Sequence, residues 1–163
     1  MPTGKNQTFV YTTIGFLLVI TLFATNPYTH GACLHSSFLN KLTFHCFHAN
    51  FFHFIANAYA LYLMRPNPSD ILKAFPIAVA SSFFTDTPTI GISAMVYAYI
   101  GMNVLKWNVS RNDWYIFIGA NLASALLPNI AFAVHLAAFV IGIITHKTIE
   151  RFGHKGFAFG KRA

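Results

Sequence analysis

Negative charge is nearly missing from this 163-residue chain. Asp70, Asp86, Asp113 and Glu150 are its only acidic side chains, and charged residues of both signs make up 9%. A soluble globule carries about 25%, so composition argues against a soluble domain and excludes disorder, collagen and coiled coil. Cysteine is scarce too. Cys33 and Cys46 are too few for a disulfide framework, although an oxidising compartment permits one bridge between them. No HExxH occurs, and neither a low-complexity stretch nor an internal repeat is found.

What remains is apolar: 55% hydrophobic and 17% aromatic, with a mean hydropathy of +0.52. The net charge of +7 raises the question of nucleic acid. Basic residues, however, stand singly or in pairs between apolar runs and then gather at Lys147, Arg151, Lys155, Lys161 and Arg162. That pattern encodes membrane orientation and attraction to acidic lipid headgroups, so no nucleic-acid partner is expected. Six runs read as spans: roughly Phe9–Thr25, Phe44–Met64, Ile71–Phe84, Ile90–Leu105, Trp114–Leu127 and Ile130–Thr145. Pro66, Pro68, Pro88 and Pro128 punctuate the gaps. The first run lacks an A-x-A cleavage site at Ala24-Thr25-Asn26 and is taken as a retained helix. The expected architecture is all-α and polytopic. Residues 1–8 form a cytoplasmic N-terminus, 9–147 a six-helix membrane domain and 148–163 a basic cytoplasmic tail.

With the N-terminus inside, ten Lys and Arg residues fall on the cytoplasmic side and only Lys41 falls outside. Spans two, four and six then run from outside to inside. Polar side chains in spans are costly and therefore functional candidates. His45, His48, His53 and Asn57 in span two, Ser93 in span four and His135 in span six all share one depth near the outer face. His53 and Asn57, at i and i+4, stack on one helical face as a donor pair. His48 lies about 140° away on a regular helix, so it is expected to tie the helix end or the loop. Ser93, Tyr97 and Gly101 follow one face of span four, and His135, Ala138 and Gly142 one face of span six. Small residues let helices approach closely in lipid. Such an approach brings His135 Nε2 toward Ser93 Oγ, and serine with a histidine base is the minimum activated nucleophile.

Three segments carry a family likeness. His48-Ala-Asn-Phe-Phe-His53-Phe-Ile-Ala-Asn57 resembles H-x-x-x-x-H-x-x-x-N; Gly91-Ile-Ser93-Ala-Met-Val-Tyr97-Ala resembles G-x-S-G-x-x-Y-A; His135-Leu-Ala-Ala138-Phe-Val-Ile-Gly142 resembles H-x-x-G-x-x-x-G. These are motifs of the rhomboid family of intramembrane serine proteases, whose six-span layout the chain also resembles. The resemblance implies a rhomboid-like bundle that hydrolyses peptide bonds in or near transmembrane segments of membrane-protein substrates. It implies Ser93 as nucleophile, His135 as general base, His53 and Asn57 as oxyanion donors with the Ser93 N–H, and Tyr97 stacked on His135, with His48 in a supporting place. No cofactor or metal is implied. The expected setting is a bacterial inner membrane, with the site open to the outer face. The chain departs from the family pattern at Ala94 and Ala138, where a methyl group is added at a tight helix contact, and it lacks a Trp-Arg pair in the first loop.

Other readings stay open at this point. A catalytically inactive rhomboid-like protein would use the same cavity to bind transmembrane clients. His45-Cys46-Phe47-His48 offers metal-ligand types, though without a carboxylate in the spans. A transporter would need a polar through-path. Asp86 would be a third catalytic member only if it reached His135. The charge count itself makes a prediction: a Lys155→Cys thiol in intact cells is labelled only after the membrane is permeabilised. Labelling from outside would overturn both the orientation and the shared depth.

Overall fold

The computed structural model describes residues 4–107, 110–112, 114–115, 117–119 and 131–159. The described chain is all-α. Its helices are α1 (Gly4–Phe23), α2 (Phe38–Thr43), α3 (Phe51–Met64), α4 (Pro68–Ser81), α5 (Ser93–Asn103) and α6 (Phe132–Phe159). Residues 111–112, 114–115 and 117–119 are helical as well. Most of the expected fifth span lies outside the described residues. Among the described residues, β-pairing is limited to one isolated antiparallel bridge between Ala32 and Thr89.

Hydropathy located α1, α3, α4, α5 and α6 but misjudged their ends, and it passed over α2, which falls where the sequence reads as the longest loop, residues 26–43. The run Phe44–Met64 is not one helix. A 3₁₀ turn at Phe44–Cys46 is followed by a non-helical link, and α3 opens only at Phe51, where Asn50 Oδ1 accepts from the His53 N–H at 2.9 Å. Similarly, 90–92 lead into α5 rather than belonging to it, and α4 starts at Pro68 under an Asn67 cap. At the other end, α6 runs on through Lys147, Glu150 and Arg151 to Phe159. Charge ends the apolar stretch there but not the helix, because Lys, Glu and Arg are good helix formers. The boundary expected at 147 and 148 is therefore crossed by continuous helix.

Among the described residues, two helical windows, Asn6–Phe23 and Phe132–Phe152, are long and apolar enough to cross a membrane. α3 is a shorter apolar helix. α1 buries Val10 and Leu17, which are seven residues apart on one face, and exposes Tyr11, Phe16, Val19 and Leu22. α2 is inside out: Phe38 and Leu39 are exposed while Lys41 is buried.

The core sits where α5 meets α6. Ala94, Ala98 and Ala138 are all but fully buried. At Gly101 an added Cβ would fall 2.1 Å from the Phe139 carbonyl oxygen, and at Gly142 it would fall 2.6 Å from the Ala98 oxygen. The two backbones touch, and only hydrogen fits between them. Gly142→Ala is therefore expected to cost about 1–3 kcal/mol through overpacking. Gly15→Ala, on a face with no neighbour within 4 Å, should be neutral or stabilising by up to about 1 kcal/mol. Thermal midpoints of the purified variants check the contrast, and an unchanged midpoint for Gly142→Ala would refute the close approach.

Candidate active site

Ser93 opens α5, so its N–H is among the first-turn donors that no helical carbonyl satisfies. The chain arrives there through Gly91, whose φ of +113° is a conformation that side-chain-bearing residues rarely adopt. Gly91 N–H donates to the Phe44 carbonyl at 3.0 Å, which fastens this bend to the 3₁₀ turn ahead of α3.

From α6, His135 places Nε2 2.8 Å from Ser93 Oγ. Tyr97, one turn beyond Ser93, lies nearly parallel to the imidazole, with ring centroids 4.4 Å apart and planes 13° apart. His135 is buried, and its Nδ1 has no hydrogen-bond partner among the described residues. When Nε2 accepts the serine hydroxyl, the ring proton sits on Nδ1. The ring's attitude is then held by the Tyr97 face rather than by a carboxylate. Asp86 is engaged elsewhere, 3.7 Å from His35 Nε2 at an exposed site. The added methyls of Ala94 and Ala138 are buried in the α5–α6 seam, and the Ser93–His135 contact is nonetheless formed.

His53 and Asn57 converge on the same bend from α3. A Cβ added at Gly91 would meet His53 Nε2 at 2.9 Å and Asn57 Nδ2 at 3.4 Å. Glycine thus leaves room at the point where the two side chains meet. His53 Nδ1 accepts from the Ala49 N–H at 3.3 Å. A neutral imidazole that accepts at Nδ1 carries its proton on Nε2, so the nitrogen beside Gly91 is a donor. Asn57 gives one amide hydrogen to the His53 carbonyl at 3.0 Å and keeps the other.

His48 ties the helix end, as its spacing from His53 suggested, but it stands outside the helix. It precedes α3, so the 140° separation from His53 does not apply, and the two rings meet edge to face at 5.3 Å. Its Nδ1 lies 3.3 Å from Thr21 Oγ1, tying the start of α3 to the end of α1. His45 packs against Phe44 and Phe75 instead of lining up with His48. Cys33 and Cys46 are free thiols, so the bridge that an oxidising compartment would permit between them is not formed.

Beside the site lies a cavity of about 360 Å³ lined by His53, Thr85, Thr87, Thr89, Ile90 and Phe132 among others. The chain bends at Asp86 and Thr87, where the Thr87 N–H donates to Thr85 Oγ1 at 3.2 Å. The backbone of this segment is pinned at both ends: Ala32 and Thr89 exchange backbone hydrogen bonds of 2.9 and 3.0 Å, and Leu34 N–H donates to the Thr85 carbonyl at 2.7 Å. This wall and the role of Gly91 were not drawn from the sequence. The period-two threonines and a glycine two residues before the serine were the available signals.

Chemically, the arrangement joins a hydroxyl, a base within hydrogen-bond reach and three N–H donors close by. Compared with known families and curated proteins, the chain matches no family model and no curated protein. Gly91→Ala should cost about 1–3 kcal/mol through backbone strain and drive the His53 ring away. A lowered denaturation midpoint together with moved His53 imidazole resonances, those of His146 staying in place, is the expected result.

Proposed function

We propose that this chain is an intramembrane serine protease of the rhomboid type, acting through a Ser93–His135 dyad on peptide bonds in or near transmembrane segments. The observation that carries the reading is the 2.8 Å contact between Ser93 Oγ and His135 Nε2, formed beside two side-chain donors that converge at Gly91. His135 takes the hydroxyl proton as Oγ attacks the scissile carbonyl. The resulting oxyanion accepts from His53 Nε2, Asn57 Nδ2 and the Ser93 N–H, at a helix N-terminus whose dipole favours negative charge. His135 then protonates the leaving amine, and water releases the acyl group from Ser93. Tyr97 keeps the imidazole aligned, and His48 backs His53.

The membrane setting of this reading is a six-span bundle with both termini cytoplasmic and the site open to the outer face. Its supports are the two membrane-length apolar helices, the ten-to-one distribution of Lys and Arg, and the inverted α2. An amphipathic element that turns Phe38 and Leu39 outward and its lysine inward suits an apolar surrounding. α3 and α4, at 14 residues each, are about 21 Å long against a hydrocarbon core of about 30 Å. Short helices of this kind leave water a route to a site near one face.

Cleavage of a synthetic transmembrane substrate in liposomes, with chelator present, is the test. Ser93→Ala and His135→Ala should each abolish cleavage and labelling by a fluorophosphonate, and the double variant should be no worse, since the pair acts as a unit. His53→Ala or Asn57→Ala should lose about 10²- to 10³-fold and keep a residue of activity from the remaining donors. Ala94→Gly should change little, because the methyl is already accommodated. Cleavage that survives Ser93→Ala would remove the serine mechanism. Loss on chelation would favour a metal. Client binding without any cleavage by the unaltered protein would identify an inactive relative.

A further inference from the structure

Lys41 is the one basic residue that the charge count leaves on the outer side, and it is buried at 3% exposure. No carboxylate lies within 4.0 Å of it among the described residues. Its ammonium instead spends its three N–H donors on three oxygens of one short turn: the Leu34 carbonyl at 3.2 Å, the Ser36 carbonyl at 2.6 Å and Ser36 Oγ at 3.2 Å. The face of Phe83, just after α4, lies 4.9 Å from Nζ. Ser36 Oγ is used to capacity as well. It donates to the Cys33 carbonyl and accepts from the Cys33 N–H, both at 3.0 Å, besides accepting from Lys41.

This turn is not a peripheral ornament. Ala32 and Leu34, on either side of Cys33, make the backbone bonds to Thr89 and Thr85, and the segment between those threonines is one wall of the cavity that His53 also lines. A chain of contacts therefore leads from Lys41 through Ser36 and the 33–34 backbone to Thr85–Thr89, without touching Ser93, His135, His53 or Asn57.

We propose that Lys41 is a positioning residue: its buried ammonium clamps the 33–36 turn, and the turn holds the threonine-lined wall against which a substrate segment lies. The clamp itself is a matter of geometry; the substrate role rests on the protease reading above. Lysine here serves as a threefold donor toward carbonyl dipoles, which methionine of similar length cannot be. Arginine retains that ability in part.

The clamp has a readout independent of catalysis, because Cys33 is a buried free thiol inside the turn. In a full-length Cys46→Ser background, the N-ethylmaleimide labelling rate of Cys33 reports opening of the turn. Lys41→Met should raise that rate about tenfold or more, as a local segment loses its ties, and Lys41→Arg should bring it back toward the starting value. Ser36→Ala, which leaves the lysine in place, should raise it in the same direction and by less. For cleavage of the transmembrane substrate, Lys41→Met should raise KM about tenfold with kcat little changed, as a displaced wall misplaces the substrate. Fluorophosphonate labelling of Ser93, which needs only the dyad, should stay within about twofold.

Cys33 protection that is equal in Lys41→Met, Ser36→Ala and the parent would overturn the clamp. Probe labelling that falls in parallel with cleavage would overturn the positioning role in favour of general loss of structure. A parent protein that neither labels nor cleaves, yet shows the Cys33 response, would overturn the substrate role through failure of the protease reading and leave the clamp supported.

Discussion

The meeting of Ser93 with His135 depends first on the meeting of two backbones. α5 and α6 cross at Gly101 and Gly142, where a carbonyl oxygen of one helix occupies the space a side chain would need on the other. Dispersion at such a contact is small per atom pair and large in sum. The crossing also fixes geometry at a distance. Ser93 lies eight residues before Gly101 and His135 seven before Gly142, so both stand about 11 Å up their helices from the contact. Two rigid rods joined there deliver a hydroxyl and an imidazole to one point, and the alanines between them fill the seam.

Around that pair, the remaining polar groups are oriented by backbone, not by charge. His53 is set by the Ala49 N–H, Asn57 by the His53 carbonyl, the Gly91 bend by the Phe44 carbonyl and Lys41 by the carbonyls of its turn. With four acidic residues in the chain, ion pairing has little to offer. The described ion pairs are exposed or half exposed, His35 with Asp86 and His146 with Glu150. Backbone carbonyls and N–H groups stand in for carboxylates, at fixed positions and without the desolvation cost of a second ion.

The helical part of this design was legible in the sequence because helical period is local information. The i, i+4 relation of His53 and Asn57, the stripe through Ser93, Tyr97 and Gly101, and that through His135, Ala138 and Gly142 all follow from 100° per residue. What escaped was set by hydrogen bonds between segments far apart. Phe44 to Ala49 is as apolar as a helix, so hydropathy ran through it, although Asn50 three residues before His53 was a capping signal in plain view. Lys41 read as an outside charge because burial of a lysine is decided by carbonyls that the fold supplies. The length of α6 escaped for the converse reason, since a helix can continue where hydrophobicity stops.

The 42-position offset between Ser93 and His135 also sets an order in time. α1, α3, α4 and α5 all leave the ribosome before α6, so the growing chain holds its serine, its bend at Gly91 and its donors without a base. The imidazole arrives on α6 and comes within reach only once that helix has docked across Gly101. On the hydrolytic reading, a nascent chain passing among other unfinished membrane proteins is harmless until α6 has been made and has docked.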